Sequence, residues 1–356
     1  LYRLTQLTDA LGYSTFFSYD TIGNLLSLKD AKANITTHAY DAANRLIKTT
    51  NALAKYTSYS YDANNNLIFK TDYNAKTTSY TYNSRNLLAQ ISYADATSAS
   101  YTYDAVGNRL SLADATGATT YTYDMRNRII KVASPGVSNT ISYAYDTEGN
   151  RLTMTDQNNK TTAYTYDALN RLASLTNSLN QKTQYEYDAV GNLLKTTYSN
   201  GTTTEYTYNK RNQVLSTQLK NSLSQVLASA VSVYDTAGLL TKITHENGDN
   251  ISYTYDAANQ LKAEVKKNAA GSTIYSYSYS YDAAKNRTSM VKNGVTTTYT
   301  YNPLNQLTKA GTTTYTYDFN GNQITSTVST STTSYAYDLE NRLIKITFPG
   351  TTTAST

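Results

Sequence analysis

The stretch Tyr101-Thr102-Tyr103-Asp104-Ala105-Val106-Gly107-Asn108-Arg109-Leu110-Ser111-Leu112-Ala113-Asp114-Ala115-Thr116-Gly117 decides the fold. Tyrosine and threonine are strand formers, and their alternation puts Tyr101 and Tyr103 on one face and Thr102 on the other. Asp104 ends the run. Its carboxylate can take up nearby backbone N–H groups, and Gly107 and Asn108 tolerate positive φ, so a turn follows. The segment Arg109-Leu110-Ser111-Leu112 alternates again, with Leu110 and Leu112 expected together on the tyrosine face. A second turn at Asp114–Gly117 leads into the next tyrosine strand. One unit is therefore a strand, a turn, a strand and a turn.

Outward from this unit, the Asp or Asn that closes the tyrosine motif recurs 16 times, mostly 20 to 22 residues apart. Examples are Tyr19-Asp20, Tyr61-Asp62, Tyr143-Ala144-Tyr145-Asp146, Tyr185-Glu186-Tyr187-Asp188 and Tyr253-Thr254-Tyr255-Asp256. Such regularity marks a repeat architecture, and residues 1–356 read as a single array of 16 repeats of about 21 residues, cut at both ends. Leu1-Tyr2-Arg3-Leu4-Thr5 resembles the second half of a repeat, and Gly350–Thr356 the start of a truncated strand. Two intervals of 26 residues, carrying Gln218–Leu223 and Lys266–Gly271, are expected to lengthen strands or project loops. One interval of 16 contracts its second turn around Ala310-Gly311. The fold class is all-β: tandem antiparallel hairpins in a continuous coiled sheet, either an open or closed shell or a spiral. A lone hairpin is marginal in water, so stability has to come from the array.

The first turn comes in two spellings. After Asp20, Asp62, Asp104, Asp146, Asp188, Asp282 and Asp318 it is typified by Gly-Asn; after Asp41, Asn83, Asp124, Asp167, Asn209, Asp256, Asn302 and Asp338 it is typified by Asn-Arg. Aligned on the leucine strand, the second spelling reads one residue shorter, which makes the structural unit a pair of about 42 residues. Only the turn after Asp235 breaks the alternation. In the long units Leu26 and Leu28 are expected to share a face; in the short units Ile344, Ile346 and Phe348 compete in register with Leu343.

Composition narrows the function. Tyr occurs 37 times against 5 Phe and no Trp, so nearly every large packing side chain carries a hydroxyl that needs a partner or water. The 356 residues are enough to bury a substantial apolar interior. With 31 Lys and Arg interspersed among 26 acidic residues, there is no basic footprint for nucleic acid, and the absence of long aliphatic runs argues against membrane insertion. No cysteine is present, which excludes disulfides and thiolate metal sites.

The units Tyr101–Leu110 and Tyr143–Leu152 resemble the YD repeats of the RHS family, which includes toxin-complex shell subunits, wall-associated bacterial proteins and teneurins. The resemblance covers essentially the whole chain. It implies a hollow β shell that encapsulates a toxin or other cargo polypeptide, with neighbouring segments of the same large chain as further partners. It also implies an extracellular or bacterial cell-surface location. No terminal core motif is recognisable, so the chain reads as the middle of a shell wall. An adhesion module that binds a cell-surface glycan is the alternative the resemblance allows.

No enzyme is expected, and no cofactor or metal. The recurring acids sit at equivalent turns, where backbone capping explains them better than paired-carboxylate catalysis. Asp41 with Arg45, and Asp104 with Arg109, are candidate pairs across a turn. His38 replaces the first aromatic of a tyrosine pair and is expected to pack, and His245 is expected to be exposed in a turn. If a ligand is bound, Lys266 and Lys267, expected at a loop tip, and Tyr275 and Tyr277 are the first residues to inspect.

Overall fold

The computed structural model describes residues 3–136 and 139–350 of the chain. Among these residues there are 33 strands and no helix, with tyrosine strands and leucine strands alternating along the chain. The chain is thus an all-β series of consecutive antiparallel hairpins, as the repeat predicts. It falls into two compact units, the first comprising Leu1–Ser98, Thr254–Glu264 and Tyr275–Thr356, the second Ala99–Tyr253 and Val265–Ile274. The start of the chain at Leu1-Tyr2 and most of Gly350–Thr356 lie outside the described residues.

Within the tyrosine strand Gly117–Tyr123 the expected alternation is present: Tyr121 and Tyr123 are half-buried, while Thr120 and Thr122 are exposed. The leucine strands depart from the expectation, because the hairpin from tyrosine strand to leucine strand carries a bulge at its last tyrosine. In the first such hairpin Phe17 faces Leu28 and Ser18 faces Ser27, but Tyr19 faces Leu25. Leu26 is the extra residue and is 38% exposed. Hence Leu25 and Leu28, three apart, lie opposite the aromatic residues, and the expected pairing of Leu26 with Leu28 is corrected. The same shift places Arg109 opposite Tyr103 and Leu112 opposite Tyr101, leaving Leu110 40% exposed. A bulge inserts one unpaired residue and so breaks a period-2 pattern that uninterrupted pairing would keep.

The two turn lengths are also corrected. The leucine strand starts five residues after the motif Asp in both spellings, at Leu25 after Asp20 and at Leu46 after Asp41. The backbone bonds are the same: Asp20 N–H donates to Asn24 O and Asp41 N–H to Arg45 O, each at 3.0 Å. What alternates is residue identity at fixed geometry. The third residue after the motif Asp or Asn takes positive φ, and glycine (Gly23, 113°) or asparagine (Asn44, 63°) supplies it in every first turn except that after Asp282, where Lys285 does (68°). The fourth is then asparagine in one spelling and mostly arginine or glutamine in the other. In the final hairpin Leu343 lies opposite Tyr337 and Ile346 opposite Tyr335, which settles the register in favour of the same bulge.

That bulge explains the preference for tyrosine over phenylalanine. The hydroxyl of the second tyrosine reaches back to the backbone carbonyl that begins the preceding leucine strand: Tyr40 to Leu25, Tyr61 to Leu46, Tyr166 to Arg151 and Tyr187 to Leu172, at 2.8–3.1 Å. Each repeat is thereby bonded to its predecessor beyond the ladder. Replacing Tyr61 with Phe removes one such bond, at 2.8 Å, from a partly buried carbonyl. We expect a loss of about 0.5–1.5 kcal/mol, read as a lower urea midpoint at unchanged slope; a Y61F variant as stable as the parent would show that water replaces the hydroxyl without cost.

The long intervals become longer strands. Val214–Lys220 and Val226–Tyr234 form one extended pair, and Leu261–Lys267 and Thr273–Tyr281 are strands of the same lengths. The contracted interval gives the short strands Leu307–Ala310 and Thr313–Tyr317. Among the described residues no large side chain is fully buried, and the buried ones are Ala99, Thr57, Ser174 and Thr196. In each unit the large side chains of the described residues all keep some solvent access.

Candidate interaction surfaces

Because the first turn has constant geometry, it offers a like set of side chains in each repeat. Each motif Asp uses Oδ1 to accept backbone N–H groups of its own turn, and in most turns Oδ2 to hold the fourth residue. Asp62 Oδ2 takes Asn66 Nδ2 at 2.9 Å, and Asp167 Oδ2 takes Arg171 Nε at 2.7 Å. The expected pairing of Asp41 with Arg45 is present at 2.7 Å. Arg109 instead lies over the rings of Tyr101 and Tyr121, and Asp104 holds Asn108.

The fourth residue then reaches the next repeat. Asn108, Asn150 and Asn192 donate to Oδ1 of Asn127, Asn170 and Asn212, the positive-φ residues one turn on, at 2.8–3.0 Å. Arg45, Arg128 and Arg171 donate to the carbonyls of Asp62, Asp146 and Asp188, and lie over the rings of Tyr61, Tyr145 and Tyr187. The unit of about 42 residues is therefore real in side-chain bonding, though not in backbone length. The signal is visible in the sequence as two spellings, but an asparagine that supplies positive φ looks the same there as one that donates its amide.

These bonds hold the carboxylates ionised. For Asp41, Asp124 and Asp167 the backbone N–H of the following arginine is the main influence, and for Asp62 and Asp188 the asparagine amide; each sits below the ordinary 3.8. For Asp20, Asp104, Asp146 and Asp338 burial is the largest single influence and pushes upward. The summed hydrogen bonds outweigh it, and these four are also lowered.

Within the first unit, second turns from the beginning of the chain meet first turns from its end. Lys32 Nζ is 2.9 Å from Asp282 Oδ2. Asn74 Nδ2 donates to Asp318 Oδ2 at 3.1 Å, Phe319 N–H donates to Asn74 Oδ1 at 2.9 Å, and Asn320 Nδ2 donates to Asp72 Oδ2 at 2.7 Å. Lys55 sits 4.0 Å from the centre of the Phe319 ring, and the Tyr93 hydroxyl bonds Glu340. Partners in these hydrogen bonds are 244 to 248 residues apart in sequence. No local pattern announces such a seam.

In the second unit a concavity of about 670 Å³ is lined by Leu227, Ser229, His245, Glu246, Asp249 and Lys266. His245, expected in an exposed turn, ends the strand Leu240–His245 and is half-buried. Lys266 and Lys267, expected at a loop tip, belong to the strand Leu261–Lys267, with Lys266 Nζ 3.8 Å from Asp249. The longer strand takes them in and ends at Lys267, directly before the turn Asn268–Ser272. Tyr275 and Tyr277 belong to the first unit; Tyr275 donates to Glu264 at 2.8 Å and packs edge-on against Tyr277. His38 Nδ1 lies 3.1 Å from Thr49 Oγ1 across its hairpin, and burial lowers its pKa. Among the described residues no three His, Cys, Asp or Glu side chains converge as metal ligands, and no helix is long and apolar enough to cross a membrane.

Comparison with known proteins places this geometry. The teneurin YD-shell family model matches residues 5–149, 108–172, 150–274 and 233–352. No curated protein matches. Among solved structures, the chain is similar to one titled TcdB2-TccC3-Cdc42 at 17% identity, with a TM-score of 0.68 over 98% of this chain and 22% of that one. It is also similar to TcdB2-TccC3-TEV at 14% identity, with a TM-score of 0.67 over 94% and 23%. A Photorhabdus luminescens Tc holotoxin pore matches at 16% identity, with a TM-score of 0.66 over 98% and 22%. The chain spans less than a quarter of the length of these structures, and at such identity the likeness is one of fold.

Proposed function

Since the chain belongs to the teneurin YD-shell family, we propose that its structural role is that of a wall segment in a shell enclosing a toxin or other cargo polypeptide, without a catalytic part in the cargo's chemistry. The observation that carries this reading is how little the sheet buries. Among the described residues no large side chain is fully buried, while the backbone is bonded from hairpin to hairpin. A sheet of that kind uses its chain to cover area and leaves each face open to what lies beside it. The half-buried tyrosine stripe offers a surface that is apolar in body and polar at its hydroxyls, which suits contact with an unfolded chain without one specific pocket. An extracellular or bacterial cell-surface location, and other segments of a longer chain as partners, accompany the same reading.

The test is protease protection in the full-length protein that carries this array. A polypeptide inside a shell is expected to resist digestion at neutral pH and to be cut once the array is unfolded with denaturant. Digestion of every non-repeat segment at its free-chain rate, with the array still folded, would sink the proposal.

A further inference from the structure

We infer that the turn Asp156–Lys160 is a docking site for a second copy of this chain, which engages it through its own turn Asp62–Asn66. The inference rests on two pairs of near-duplicate turns. In the first unit the seam joins Asp72-Tyr73-Asn74-Ala75-Lys76 to Asp318-Phe319-Asn320-Gly321-Asn322 by reciprocal amide–carboxylate bonds, Asn74 to Asp318 and Asn320 to Asp72. The turn Asp156-Gln157-Asn158-Asn159-Lys160 has the same Asp, Asn and Lys at its first, third and fifth positions. Asp62-Ala63-Asn64-Asn65-Asn66 repeats the Asp, Asn and Asn of the other partner.

Sequence likeness is matched by geometry. Asn320 Nδ2 lies 3.2 Å from Asn341 Oδ1, and Asn64 Nδ2 lies 3.2 Å from Asn86 Oδ1. Asp318 Oδ2 holds Asn322 Nδ2 at 2.8 Å, and Asp62 Oδ2 holds Asn66 Nδ2 at 2.9 Å. On the receiving side Asp72 Oδ1 accepts Lys76 N–H at 2.8 Å, and Asp156 Oδ1 accepts Lys160 N–H at 2.8 Å. The difference is in exposure. Asn74 and Asn320, which are engaged, are half-buried; Asn158 and Asn64 are exposed. The second unit therefore presents a receiving turn, and the first a donating turn, each prepared for a contact that the first unit already makes elsewhere.

The two surfaces differ, so the contact is head-to-tail: each copy that docks leaves one of each surface free for the next. A few hydrogen bonds between exposed turns make a weak interface, and association should be seen only at high protein concentration. Sedimentation velocity over a concentration series is the test. The parent chain is expected to show a weight-average sedimentation coefficient that climbs with concentration without a plateau at dimer. N64A and N158A, both at exposed positions, should each remain monomeric with unchanged circular dichroism. An equimolar mixture of the two variants should stop at dimer, because together they retain one intact pair of surfaces. A parent that stays monomeric to its solubility limit, association that survives both substitutions, or a mixture that fails to pair would each overturn the inference.

Discussion

Acidification is expected to unfold this array over a narrow range below about pH 4, with stability nearly flat between pH 5 and 8. The reason is the number of depressed carboxylates that share one role. Asp20, Asp41, Asp62, Asp104, Asp124, Asp146, Asp167, Asp188, Asp282 and Asp338 all close first turns, and all sit below 3.8. A carboxylate with a lower pKa folded than unfolded contributes its full stabilisation above the unfolded value. That contribution is lost as pH falls through the folded value, where the folded state must take up the proton. Each group is partly solvated and its share is small. Ten equivalent turns add in one direction, and in a repeat array stability is close to a sum over repeats and their interfaces. Asp282 adds a second effect, since its protonation also releases Lys32 at the seam. Thermal melts from pH 7 to pH 2.5 at constant ionic strength will measure this. A melting temperature unchanged down to pH 3 would mean that the turns do not depend on their charge.

Gly248→Val is expected to destabilise the protein by about 2–4 kcal/mol, more than the loss of any single turn hydrogen bond. Gly248 has φ of +84°, a conformation that β-branched residues strongly resist. A Cβ placed there would also stand 2.8 Å from Ala269 Cβ and 3.4 Å from Ala269 Cα, on the neighbouring long hairpin. The shorter distance is below any normal carbon–carbon contact, so the backbone of one turn has to move. Gly271 separates the two causes: its φ is +85°, yet nothing lies within 4 Å of its Cβ position. Gly271→Val should therefore carry the backbone strain alone, about 1–2 kcal/mol. Urea denaturation of the two variants side by side decides the matter, and equal losses would show that the Ala269 approach is relieved without cost.

The architecture is legible from Tyr101–Gly117 because its cues are local. Alternation defines strands, aspartate and glycine define turns, and a recurrence of about 21 residues turns one hairpin into an array. The departures are local in origin too. A bulge is invisible to a period-2 count, which puts Leu26 and Leu110 with the tyrosines when Leu25 and Arg109 belong opposite them. Asn44 occupies the position of Gly23, but alignment by letters pairs it with Asn24 and creates a missing residue. For the interval that holds Lys266 and Lys267 the sequence leaves longer strands and a projecting loop both open, and Leu261–Lys267 and Thr273–Tyr281 take the first.

An all-β array of tyrosine hairpins follows from local cues, because strand propensity and turn chemistry act over a few residues and the repeat imposes the same choice 16 times. That side chains of the two turn spellings bond one repeat to the next, and that Asp72 and Asn74 meet Asn320 and Asp318, emerged with the packed molecule. Those contacts depend on how the twist and bulges of successive hairpins add over some 245 residues, and a small angle repeated many times is not written at any single position.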